Sequence, residues 1–267
     1  MRTRMVRVRR RGGGIRRAMV LLAVCALFYG RTALPALLQT QREAPGAVDH
    51  GERVTREIRL EGVQAHLICF GIWSAESEAR VEAGRYVPRG AAGYVLGRAD
   101  GYAVIGALYP TREQAERVCA SLQASEGMAC TTLEYVSGAV TLRMTAGSAQ
   151  IDAFLNAERV LRETWNALGQ LSFALDRREA GVEQALAVVQ TNLDKALQAQ
   201  ETLRAQISQT ASAQLSALSA MMEDVTGQMR SMLQERGAMA LSSRLKFAQV
   251  EFALRHILWL QEIGESG

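Results

Sequence analysis

The chain of 267 residues is 48% hydrophobic and 22% charged, which excludes a wholly disordered polypeptide and is enough to build a sizeable core. Its net charge of +4 is unevenly placed: residues 1–31 hold nine of the 31 basic side chains and no acid, leaving 22 basic against 27 acidic side chains in the remainder. A mildly acidic body lacks the surplus needed to neutralise phosphates, so a nucleic-acid partner is excluded.

Residues 1–17 form a basic tail in front of an apolar run, Ala18 to Gly30, AMVLLAVCALFYG. Thirteen residues reach only about 20 Å as a helix, so spanning a hydrocarbon core of about 30 Å requires continuation through Ala33, Leu34 and Ala36 to Leu38. The segment 18–38 is therefore expected to be a transmembrane anchor; the alternative is a cleaved signal peptide, whose apolar region is this short. With the arginines held in the cytoplasm, the body lies outside a single-pass anchor in the cell membrane. Residues 39–57, with Pro45 and Gly46 and no sustained period, read as a linker. Cys25 falls in the apolar run; Cys69, Cys119 and Cys130 form no metal-ligand spacing and are expected to be buried as small apolar side chains.

From 58 to 147 the pattern alternates between strand and helix twice. VQAHLICFGIWS leads to SAESEARVEAGRYV and AAGYVLGR; GYAVIGALYP leads to TREQAERVCASLQASEG and MACTTLEYV, with AVTLRM after a Ser137-Gly138 turn. Ser74 and Thr111 are the N-cap candidates, while Gly84 or Gly90 and then Gly127 mark the helix ends. Asp100-Gly101 between two apolar runs predicts a two-residue hairpin. The order βαβ-βαβ predicts an α+β fold with a ferredoxin-like, four-stranded antiparallel sheet. If Val95, Val104 and Ile68 face the helices, the other face carries Leu67, Cys69, Trp73, Tyr94, Leu96, Arg98, Ala103 and Ile105.

Ile68-Cys69-Phe70-Gly71-Ile72-Trp73, together with Tyr102-Ala103-Val104-Ile105-Gly106-Ala107-Leu108 and Arg112-Glu113-Gln114-Ala115-Glu116, resembles the sporulation-related repeat (SPOR) family over residues 63–136. The resemblance implies a small extracytoplasmic domain that recognises denuded peptidoglycan glycan in bacterial cell division or sporulation. Cys69 stands where the family has a polar Gln, and Gly106-Ala107-Leu108 where it has Gly-Pro-Phe. The candidate binding face is Cys69, Trp73, Tyr94, Leu96, Arg98 and Ile105, of which Trp73, Tyr94 and Arg98 suit a sugar. The remainder are apolar and suit a covered or protein-binding surface, so the partners are peptidoglycan, envelope proteins or both.

Residues 148–267 contain no proline and 11 basic against 14 acidic side chains, a composition for long helices. Ile151, Leu155, Leu161, Trp165, Leu168 and Leu175 form one stripe over 148–178. Val182, Val189, Ala196 and Leu203, with Leu186, Leu193, Gln200 and Ile207, repeat in heptads and predict a coiled coil, with a stutter after Ile207. One helix over 182–236 is expected, with helices 148–178 and 238–263 folded back on it at turns near Gly181 and Gly237. A parallel homodimer through the heptads is the competing arrangement. Ile257-Leu258-Trp259-Leu260 needs cover. His50, His66 and His256 are scattered, and the chain has no HExxH, GxSxG, phosphate-loop or dinucleotide motif. No converging carboxylate pair is nominated. The expectation is a non-enzymatic protein with no cofactor, no catalytic residue and no metal site. Its alternative role is a structural coiled-coil scaffold whose SPOR-like fold has become a protein-interaction module.

Overall fold

The computed structural model describes residues 53–207 and 213–266. The basic tail, the anchor at 18–38 and the linker up to residue 52 lie outside the described residues. Among the described residues no helix is long and apolar enough to cross a membrane.

The chain enters in β1 (Arg53–Leu60) and continues in β2 (Val63–Trp73), so 53–57, expected to be linker, are strand. Then come α1 (Glu76–Tyr86), a 3₁₀ turn Val87–Arg89, β3 (Tyr94–Arg98), β4 (Gly101–Tyr109), α2 (Arg112–Glu126), β5 (Thr131–Ser137) and β6 (Val140–Gly147). Strands β3-β4-β2-β5 form one antiparallel sheet in that order, the order that interleaves two βαβ halves. β1 pairs with β6 as a separate two-stranded sheet. The two pairings keep one register, Arg53↔Gly147 to Leu60↔Val140 and then Val63↔Ser137 to Cys69↔Thr131. They are one long antiparallel ribbon, interrupted at 61–62 and 138–139. At that break a Cβ on Gly62 would lie 2.4 Å from the Ser137 carbonyl oxygen, so only glycine lets the two strands approach.

Thr111 Oγ1 accepts from the Gln114 N–H, and Gly127 closes α2 in the left-handed region, as the sequence predicts. Helix α1 differs: Ala75, not Ser74, occupies its N-cap position, and Gly90 (φ 84°) ends the 3₁₀ turn that follows it. The hairpin turn is Ala99-Asp100, with Arg98 opposite Gly101 and Tyr94 opposite Ile105. This register is two residues from the expected one, and a two-residue slip leaves every side chain on its expected face.

Four helices follow: α3 (Ser148–Asp176), α4 (Val182–Gln206), α5 (Ala213–Met232) and α6 (Ala238–Ser266). The expected single helix over 182–236 is two helices. The chain leaves α4 at Ile207, which is extended (ψ 116°), at the position where the heptad phase breaks. The expected fold-back becomes a second hairpin. Gln150 reaches the carbonyl of Gln206, Thr226 bonds Gln200, Arg255 pairs with Asp224, and Ser242 pairs with Asp176. Each contact joins helices running in opposite directions, so the four close into an up-down bundle with α6 beside α3. Gly181 and Gly237 precede α4 and α6 as expected. The heptad residues Val189, Leu193, Ala196 and Leu203 are buried within the chain, and the polar Gln200 meets Thr226 there.

The α/β region and the bundle do not have separate cores. The described residues form one compact unit, and the sheet, the ribbon and all four helices of the bundle share one apolar cluster. Helix α6 lies between sheet and bundle, with Leu245, Phe252, Ile257 and Leu260 at most 1% exposed. Cys119 and Cys130, expected to be unpaired, are joined in a disulfide that ties α2 to the entrance of β5, while Cys69 is free and buried.

Candidate functional site

The sheet face nominated from the sequence begins with the alternation along β2. Leu67 and Cys69 point to one side, opposite Leu108 and Ile105 of β4. Between Cys69 and Gly71 the register shifts and Phe70 is extruded as a bulge. Phe70 finds room over Gly106, where a Cβ would lie 2.4 Å from its ring, and the Trp73 ring folds back over Gly71, 2.7 Å from where a Cβ would be. The one-residue slip turns Trp73 to the helix side, where it packs half-buried with Ala79, Ala83 and Val104. Trp73 therefore does not share a face with the other five nominated residues, contrary to the strict alternation expected.

Cys69 and Ile105 are buried, as are Leu67 and Ala103 beside them, and Tyr94 and Leu96 are half-buried against the same cluster. Their cover is α6. Ser243 Oγ donates to the Ala91 carbonyl (2.7 Å), the Phe247 ring meets Tyr94 edge-on at 5.3 Å, and Gln261 donates to the Val136 carbonyl (3.0 Å). The helix thus crosses from the β3 edge to the β5 edge. Burial raises the Tyr94 phenol, helped by Glu251, and burial raises the Cys69 thiol, whose Sγ donates to the Gly71 carbonyl at 3.2 Å. Arg98 stands beyond this cover and is held by Asp100 (2.8 and 3.2 Å) and the Tyr135 hydroxyl (3.4 Å). The Arg98 bond holds the Asp100 carboxyl below its ordinary value.

Where α6 meets the end of α3, a polar clamp joins sheet and bundle. Lys246 Nζ donates to the Gly90 carbonyl (2.6 Å) and to Asp176 Oδ2 (2.5 Å), and Ser242 Oγ donates to Asp176 Oδ1 (2.6 Å). Lys246 is buried, so both of these acceptors are needed to offset its desolvation. Deeper in the bundle, Glu158 is buried between Arg162 and His256, whose Nε2 lies 3.2 Å from its carboxylate. Burial alone would raise the Glu158 carboxyl, but His256 and Arg162 outweigh it and hold it below its ordinary range.

Beside the clamp lies a cleft of about 510 Å³ between α2 and α3. Gln114, Arg117 and Val118 stand on one face of α2; Asn166, Gln170 and Phe173 stand on one face of α3, with Arg177 just past its end. The rings of Tyr109 and Phe173 stack at 4.8 Å on its inner wall. Burial, with Asp176 nearby, pushes the Tyr109 phenol up to about 12, so it is a neutral hydroxyl here. Gln249 of α6 lines the cleft, 3% exposed, and its Oε1 has no hydrogen-bond partner. A smaller cavity of about 200 Å³ shares Tyr109, Val118 and Asp176 as its wall. The sequence reading passed over these carboxamides because polar residues on a helix read as a solvated face. The available signal was Gly169, a glycine inside a long helical run. Among the described residues no cluster of three or more His, Cys, Asp or Glu is placed to hold a metal.

No family model, no curated protein and no solved structure matches this chain.

Proposed function

We propose that the protein is a non-enzymatic, membrane-tethered envelope protein in which a SPOR-like sheet serves as the platform for a helical bundle, and which acts by contacting other envelope proteins in bacterial division or sporulation. The observation that carries the scaffold reading over glycan binding is the occupation of the sheet face by α6. Glycan would have to compete with an apolar helix whose other side belongs to the bundle core. Loss of Trp73 from that face removes its largest sugar-stacking surface as well. The Cys119–Cys130 bridge supports placement of the body outside the cytoplasm, because disulfides persist in oxidising compartments. The anchor expected at 18–38 supports the tether.

The test is retention of the full chain, extracted in mild detergent, on intact and on amidase-treated sacculi. Equal and low retention on both is expected, with Arg98→Ala changing neither. Preferential retention on amidase-treated sacculi, abolished by Arg98→Ala, would replace this reading with glycan recognition.

A further inference from the structure

We infer that the cleft between α2 and α3 is a binding site for a short peptide segment bearing a carboxylate. The floor of the cleft carries two unfavourable features that packing alone does not require. At the floor, the buried Gln249 Oε1 has no hydrogen-bond donor from the chain, and a buried acceptor without a partner is destabilising. Opposite it, Gly169 interrupts the interior of α3, where glycine is less favourable than alanine. The two are linked: a Cβ on Gly169 would stand 2.0 to 2.8 Å from the atoms of the Gln249 carboxamide. The glycine is what allows the amide to lie flat against α3 at this place. An apolar side chain at 249 would leave no unpaired acceptor here, so the arrangement is the one expected if a donor from outside completes the site.

The rim identifies the chemistry of that donor. Arg117 on α2 and Arg177, just past the end of α3 and paired with Glu179 at 2.9 Å, flank the opening. The one lining carboxylate, Asp176, is already held by Lys246 and Ser242. Arg117, whose Nε donates to the Glu113 carbonyl, is the cation at the mouth that selects an anion, and a guanidinium suits a carboxylate. The carboxamides of Gln114, Asn166 and Gln170 offer paired donors and acceptors that match peptide groups, and the Gln249 carboxamide, turned toward the cleft, accepts a backbone N–H. Tyr109 and Phe173 supply an apolar wall, and about 510 Å³ falls within the range of small-ligand clefts. This assignment does not rest on the envelope reading or on the fate of the sheet face.

The experiment is equilibrium dialysis of the full chain in detergent against two pools of acetylated tripeptides, one with free C-terminal carboxylates and one amidated, with retained peptides measured by mass spectrometry. Members of the carboxylate pool are expected to be retained at least fivefold over their amidated counterparts. Arg117→Gln is an exposed substitution that leaves the core untouched, and it should reduce that retention at least fivefold. Gly169→Ala, which crowds the Gln249 amide, should lower retention while Arg159→Gln, on the same helix outside the cleft, leaves it unchanged. Retention of neither pool, equal retention of both, or a carboxylate preference unaltered by Arg117→Gln would overturn the assignment.

Discussion

On one face of the four-stranded sheet the cover comes from α1 and α2, each adjoining its strands in sequence; on the other it comes from α6, which begins at Ala238 although the last strand of that sheet ends at Ser137. The local cover is thin. Helix α1 buries Ala79 and Ala83, α2 buries only Ala115, and the bulky residues between them and the sheet, such as Phe70 and Tyr86, stay half-buried. The distant cover is deep, and it is continuous with the bundle. The comparison teaches that sequence proximity and energetic weight are separate matters here: the helices that define the βαβ halves contribute less apolar burial than one that sits outside them.

The sharpest way to break that comparison is to remove α6. A chain ending at Arg236 would expose Leu67, Cys69, Ala103 and Ile105 together with the inner face of the bundle. It is expected to lose cooperative thermal unfolding and near-ultraviolet dichroism and to bind a hydrophobic dye. Cooperative melting at the temperature of the full chain would show that the local helices suffice.

Single substitutions sharpen it. Ile105→Ala, on the α6 face, should cost about 3 kcal/mol in urea unfolding, whereas Val95→Ala, half-buried on the opposite face, should cost about 1 kcal/mol. Equal losses would mean that the two faces carry equal weight. The clamp comes next: Lys246→Ala leaves the Gly90 carbonyl and Asp176 without their cation and should cost about 2 kcal/mol. Amide exchange should then accelerate first at Ala91 and Ala92, whose N–H groups bond Tyr86 and Gly106. Uniform acceleration over the whole chain would instead mean that the clamp is not a local tie.

The smallest effect concerns the bundle alone. Because His256 and Arg162 hold the Glu158 carboxyl below its ordinary value of 4.5 in the folded chain, its contribution is fully present above that pH and is lost as pH falls through the folded value. Stability should decline on acidification below about pH 4.5, and Glu158→Gln should make that decline shallower. An identical acid limb in the variant would assign the loss to other carboxylates.

Local patterns were legible wherever a residue type has one strong conformational consequence. Thr111 and Gly127 bound α2, Gly181 and Gly237 precede their helices, and the order of strands and helices followed from period and turn chemistry. The apolar density around Trp259 announced burial without naming the surface that supplies it. Trp73 was misplaced because a bulge is a decision between backbone and neighbour: Phe70 leaves the ladder where Gly106 on the adjacent strand gives it room. The break after Ile207 was legible as a change of heptad phase but reads equally as a stutter in a continuous helix, and only packing of α5 back onto α4 distinguishes them.

The sequence by itself determined the alternation of strand and helix from Val63 to Ser137 and the helical character of the chain after Gly147, and that one face of the sheet is too apolar to stand in water. Only the tertiary structure decided that the chain's own α6 covers that face, that β1 and β6 extend the central ribbon, and that Gln249 faces a cleft without a partner. The physical reason is that conformational preference is set by neighbours within a few residues. Burial is non-directional, so an apolar face in the sequence specifies only that it will be covered, and which surface covers it is fixed by the geometry of the whole chain.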